Sequence, residues 1–202
     1  MESLIETERI SQALDKNYLE KNKSKPNVLL DSSFVLNDLL NRDDRIEFLE
    51  LCSYLAKIRI AKVRLLGPVL TEIKSLVGNY NSDFQVQLAL GKLNTIGGRH
   101  FYVYHYNRDI YKFLSKQLVK KGTAIALQEG KSLLSDVDIG YCVHAIILSE
   151  RRDIIAATRD NLIKSTLTEI FNISHKVFIN QNYPDTKLHF VQNRKELESL
   201  LH

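Results

Sequence analysis

Two kinds of apolar spacing alternate along the chain. Short apolar runs, as a strand buried on both faces requires, occur at Val28–Leu30, Val63–Leu66 (interrupted by Arg64) and Ile154–Ala157. Between them apolar residues recur at i, i+3 and i+4, the spacing of a helix with one face in a core. Such helices are expected from Asp43 (inner face Phe48, Leu51, Cys52, Leu55, Ile58) and from Pro68 (Val69, Ile73, Leu76, Val77). Others are expected from about Asn107 to Lys121 (Ile110, Phe113, Leu114, Leu118), from Ser135 (Ile139, Cys142, Val143, Ile146, Ile147) and after Asp160 (Leu162, Ile163, Leu167, Ile170, Phe171). Ser82–Asn94 alternates at Phe84, Val86, Leu88 and Leu90 as a strand would, but its Gln, Leu, Ala and Lys content favours a helix ending at Gly97-Gly98. Phe101–His105 reads as an aromatic-rich strand. Lys176–Ile179 and Lys187–Val191 read as a last pair of strands before a helix over Asn193–Leu201.

Strands alternating with helices predict an α/β fold: a mostly parallel central sheet with helices on both faces. Right-handed crossovers then bring the carboxyl ends of the strands to one edge. The ends of the chain stand apart from this pattern. Ser3 and Glu6 could open a helix over Leu4–Leu19, and Lys21–Pro26 is a polar linker. The expected organisation is an N-terminal helical extension with linker (1–25), a core domain (26–180) and a C-terminal strand–helix extension (181–202). The apolar stripe Ile10, Ala13, Leu14, Tyr18 needs a cover, either the domain or a second copy. The second option is the basis for expecting a homodimer.

Composition narrows the class. The chain has 202 residues and a formal charge of +4, which permits a polyanionic partner without requiring one. Cys52 and Cys142 fall inside apolar helical patterns and read as buried free thiols of a cytoplasmic protein. No zinc-ligand spacing, signal peptide or membrane-length apolar run is present, so no membrane partner is expected.

The chemistry lies in acids at strand and helix ends. Asp31 follows the first apolar run, Glu72 lies about one turn into the helix after the second, Asp136 and Asp138 open a later helix, and Asp160 follows Ile154–Ala157. Each alone reads as a helix cap or dipole partner. Gathered at one edge, they would repel one another strongly without a cation, and oxygen-only ligands point to Mg²⁺ or Mn²⁺. Arg108, Lys112, Lys116 and Lys120 recur every fourth residue and form one row, either a solvated face or a track for phosphates.

Leu30-Asp31-Ser32-Ser33-Phe34-Val35-Leu36, Val69-Leu70-Thr71-Glu72-Ile73, Leu134-Ser135-Asp136-Val137-Asp138-Ile139 and Thr158-Arg159-Asp160-Asn161 resemble, in order and spacing, the motifs of PIN-domain nucleases. The resemblance covers about Asn27 to Ile179. It implies a three-layer α/β/α sandwich and Mg²⁺- or Mn²⁺-dependent cleavage of RNA to 5′-phosphate and 3′-hydroxyl ends. Asp31, Glu72, Asp138 and Asp160 then correspond to the acidic quartet, with Asp136 as auxiliary or alternative third acid. Ser33 and Thr158 would orient ligands, and Arg159 would reach a phosphate or stand as a surface charge. Both ends depart from the shorter toxin nucleases of toxin–antitoxin pairs, so RNA processing or turnover is the expected role. A silent RNA- or protein-binding scaffold, or a toxin with an antitoxin partner, are the alternatives. A receiver domain would need an acidic pair at the first strand, and a haloacid-dehalogenase-type phosphatase Asp-x-Asp; serines follow Asp31 in both cases.

Overall fold

The computed structural model describes residues 25–40, 45–57, 61–78, 83–98, 108–149, 152–180 and 185–201. In chain order these form β1 (Asn27–Leu30), α1 (Ser32–Leu40), α2 (Arg45–Lys57), β2 (Lys62–Leu65), α3 (Gly67–Leu76) and α4 (Phe84–Gly98). They continue as α5 (Arg108–Glu129), α6 (Asp136–Ser149), β3 (Ile154–Ala157), α7 (Asn161–Asn180), β4 (Leu188–Val191) and α8 (Arg194–Leu201). The expected N-terminal helix, the Phe101–His105 strand, the Asp43 start of α2 and Ile58 lie outside the described residues. So do the side chains of Leu55 and Ile110.

The sheet is all parallel with strand order β2-β1-β3-β4. Its two central strands, β1 and β3, are buried at every position, which is why their sequences are unbroken runs. At the edges, β2 alternates half-buried with buried and β4 buries only Val191. β4 follows α7 and pairs with β3, so the segment read as a C-terminal extension supplies an edge strand of the same sheet. The chain passes from β1 to β2 on one side and later returns to β3 on the other. The order therefore reverses between β1 and β3, and in open α/β sheets the crevice at such a switch point is where ligands bind.

The helices fall into two packed sets. α1 packs on α2 and α3, and α4 on α2 and α3; α5, α6 and α7 pack on one another, and α3 touches α6 between the sets. Phe48, Leu51, Cys52, Val69, Ile73, Val77, Leu114, Leu118, Cys142, Val143 and Ile146 are buried as their spacing predicts, and both cysteines are free.

Three readings need correction. Lys176–Ile179 continues α7 rather than forming a strand. No glycine or proline interrupts Leu162–Asn180, and packing of α7 on α5 outweighs the local β-propensity. Helix α5 runs to Glu129, past the expected Lys121. Gly122 does not end it, because the space a Cβ would occupy holds the Leu134 side chain, whose Cδ1 would stand 2.7 Å away. The stop is Gly130 at φ +64°, with the Lys131 N–H donating to the Ala126 carbonyl at 2.9 Å in a Schellman-type turn. Finally, Phe113 and Leu76, expected in the core, are 60% and 53% exposed.

Candidate functional site

The β1–β3 edge is stitched together by hydroxyls. β1 continues one residue past its end, where the Asp31 N–H donates to the Ala157 carbonyl at 3.0 Å, so the side chain emerges inside the sheet crevice. Asp31 is 1% exposed. Its Oδ2 accepts the Thr158 hydroxyl at 2.8 Å, the Ser33 N–H at 3.3 Å and the Ser33 hydroxyl in a short bond. Ser33 Oγ in turn accepts the Arg159 N–H at 2.9 Å, and Thr158 Oγ1 accepts the Asp160 N–H at 3.1 Å. Both hydroxyl protons point to Asp31, so the 3.3 Å between Ser33 Oγ and Thr158 Oγ1 is an approach rather than a further bond.

That network uses one carboxylate oxygen only. Asp31 Oδ1 is buried and has no hydrogen-bond partner among the described residues, and the same is true of Glu72 Oε2. A buried acceptor left unpaired costs roughly 1–3 kcal/mol, and more when charged. Burial pushes the Asp31 carboxyl above its ordinary range; the Ser33 and Thr158 hydroxyls pull it down, and the nearby Asp138 charge pushes it up again.

Asp160 caps α7: its Oδ1 accepts the Leu162 and Ile163 N–H groups at 2.6 and 3.1 Å. Asp138 closes a capping box on α6, with Oδ2 accepting the Ser135 N–H and hydroxyl, each at 2.8 Å, while the Asp138 N–H donates to Ser135 Oγ at 3.2 Å. The capping role is thus real for all three aspartates, since the Ser33 N–H bond also makes Asp31 the cap of α1.

Behind them lies a dry wall. Tyr141 and Cys142 are wholly buried, and the Tyr141 hydroxyl donates to the Leu29 carbonyl of β1 at 2.9 Å, pinning α6 over the end of that strand. Burial pushes the Cys142 thiol up, and the charges of Asp138, Asp31 and Asp160 push it further. Three acids from three segments are therefore in electrostatic reach of this sulfur. Burial likewise raises the Tyr141 hydroxyl, with Asp31 as the next cause.

The edge thus joins Asp31, Ser33, Thr158 and Asp160 by hydrogen bonds or chain adjacency, with Asp138 in electrostatic reach. Glu72 is half-buried on α3, which touches both α1 and α6, but no hydrogen bond ties it to Asp31. Asp136 is exposed, and Arg159 is half-buried beside the network. Arg108 begins α5, while Lys112, Lys116 and Lys120 lie exposed along it. Among the described residues no three His, Cys, Asp or Glu side chains form a group that could hold a metal ion. No described helix is long and apolar enough to cross a membrane. Sequence reasoning missed Tyr141, which falls off the apolar stripe of α6, and the seating of Leu134 against Gly122; neither leaves a periodic signal. No protein-family model, curated protein or solved structure matches the chain.

Proposed function

We propose that the chain is a Mg²⁺- or Mn²⁺-dependent endoribonuclease of a PIN-like three-layer fold, acting at the β1–β3 edge in RNA processing or turnover. The observation that carries this reading is the bare Asp31 Oδ1. A cap requires one carboxylate oxygen, and Asp31 buries a second, unpaired, at the switch point of a parallel sheet. Glu72 Oε2 is a second buried carboxylate oxygen in the same condition. Hard oxygen donors of this kind suit Mg²⁺ or Mn²⁺.

Asp31 and Glu72 would hold the ion, with Asp138 and Asp160 offering the oxygens their caps leave over. An ion bound there would acidify a water and neutralise charge developing on a phosphodiester. The chain's own groups supply the rest. Ser33 and Thr158 lock the Asp31 carboxylate in one orientation, the Tyr141 hydroxyl pins α6 to the Leu29 carbonyl of β1, and the Arg159 N–H ties the β3–α7 loop to the same network.

Two observations favour a second reading, a catalytically silent scaffold that binds RNA or protein: Asp138 is already engaged by Ser135, and among the described residues no three His, Cys, Asp or Glu side chains form a group that could hold a metal ion. Incubation with a mixed set of labelled RNAs in Mn²⁺, Mg²⁺ or EDTA separates the two. Cleavage with either ion that EDTA and Asp31→Asn both abolish is expected; intact RNA under every condition overturns the nuclease reading.

A further inference from the structure

Phe113 is the residue whose placement departs furthest from its pattern. It stands 60% exposed on α5, between Lys112 and Lys116, with Lys120 two turns further along and Val119 and Leu127 also exposed. The other side of α5, with Leu114, Leu118 and Ala126, is buried against the domain, so the outward strip is fixed in place. From Tyr111 to Gln128 the helix carries no acid. Lys121, next to the strip, is paired with Glu169 of α7 at 2.8 Å, whereas Lys112, Lys116 and Lys120 have no acidic partner among the described residues.

We propose that this strip of α5 binds single-stranded RNA, with Phe113 stacking on a base and Lys112, Lys116 and Lys120 contacting phosphates. Three cations at a rise of about 6 Å per step select a polyanion. An exposed aromatic face set among them selects one with unpaired bases, since stacking is sequence-tolerant but needs a base out of a duplex. An anionic membrane is the weaker match, because lysines interrupt the apolar positions along the strip. The choice of RNA over other single strands rests on the ribonuclease reading; the strip itself needs neither metal nor cleavage. Helix α5 leads through Gly130 and residues 131–135 directly into α6, whose first turn carries Asp138, so the strip and the acidic edge belong to consecutive elements of the chain.

Fluorescence anisotropy of the full chain with labelled oligouridine and oligoadenosine in EDTA tests this apart from catalysis. Phe113→Ala should weaken binding about tenfold with the salt slope unchanged, and Phe113→Tyr should restore it. Lys112→Ala with Lys116→Ala should flatten the slope of log affinity against log salt by about 1.4, twice the single-strand value per phosphate. A duplex of equal length should not respond to Phe113→Ala. Unchanged single-strand affinity in Phe113→Ala, equal loss on duplex, or no binding by the wild type at low salt overturns the strip. Loss in Phe113→Ala of binding to phosphatidylserine vesicles alone would assign it to a membrane, and loss of self-association alone to a second copy. Cleavage in Mn²⁺ without any effect of these changes would sink the strip and leave the nuclease reading standing.

Discussion

Asp31 and Asp138 are the same residue type at one edge of one sheet, and each steadies the start of a helix with a single oxygen, Oδ2. Their surroundings differ. Asp138 is half-buried, so water reaches what the Ser135 bonds leave over. Asp31 is sealed in protein, and its second oxygen is buried without a hydrogen-bond donor among the described residues. Capping and ligation therefore do not compete, because each needs only one oxygen. The informative feature of an acid at a helix start is the oxygen the cap does not use, and by that measure Asp31 is the centre of the proposed site.

The largest expected contrast is in cleavage. Asp31→Asn should lower Mn²⁺-dependent RNA cleavage at least about a hundredfold, while Ser135→Ala should lower it by no more than about tenfold. Equal losses would erase the distinction between the two corners. The same Asp31→Asn change carries a pH signature in metal-free protein. Burial raises the Asp31 carboxyl, so the folded state binds its proton more tightly than the unfolded state. Stability is then highest below the ordinary aspartate range and falls as pH rises toward the raised value. Thermal melts between pH 3 and 8 should show that fall in the wild type and a flatter profile in Asp31→Asn, with an equal or higher melting temperature at neutral pH.

A smaller effect separates the carboxylate from its holders. Thr158→Ala removes the 2.8 Å bond to Asp31 Oδ2 and should weaken Mn²⁺ affinity about 10- to 100-fold, measured by metal titration of the melting temperature. Unaltered affinity would mean that the hydroxyl serves packing alone. Smaller still are the losses at the Asp138 corner. Ser135→Ala should cost about 1 kcal/mol in urea unfolding, and Gly122→Ala, which pushes the end of the Leu134 side chain aside but gains about 1 kcal/mol of helix propensity, should change stability by no more than about 1 kcal/mol. A Ser135→Ala cost well above 2 kcal/mol would show that this capping box holds more than one helix end.

The parallel sheet and the Asp31 position were legible because a strand buried on both faces leaves an unbroken apolar run, and the acid that ends it is conspicuous. The four acids were legible as strand-end and helix-start residues, whereas Ser33 and Thr158 were reached only through a family resemblance, which gave neither hydroxyl's bond to Asp31 Oδ2. Periodicity names a helix face and not what covers it, which is why Phe113 and Leu76 were misplaced. Lys176–Ile179 was misread because three β-favouring residues, Val177, Phe178 and Ile179, carry less weight than their place in Leu162–Asn180, a run that no glycine or proline interrupts. The end of α5 was placed too early: the helix runs on past Gly122, where the missing Cβ leaves room for the Leu134 side chain, to Gly130 at φ +64°. Tertiary contact decided where Phe113, Leu76 and Leu134 sit, and no local signal carries it.

The central claim, that Asp31 Oδ1 faces a divalent cation, is tested most directly by the Mn²⁺-induced stabilisation of wild type against Asp31→Asn. At about 100 times its dissociation constant Mn²⁺ should stabilise the wild type by roughly 2.7 kcal/mol, read as a rise in melting temperature over the EDTA form. Asp31→Asn should show little or none of that rise while melting at least as high as the wild type in EDTA. Equal metal-induced shifts in the two proteins, or no shift in the wild type at millimolar Mn²⁺, would contradict the claim.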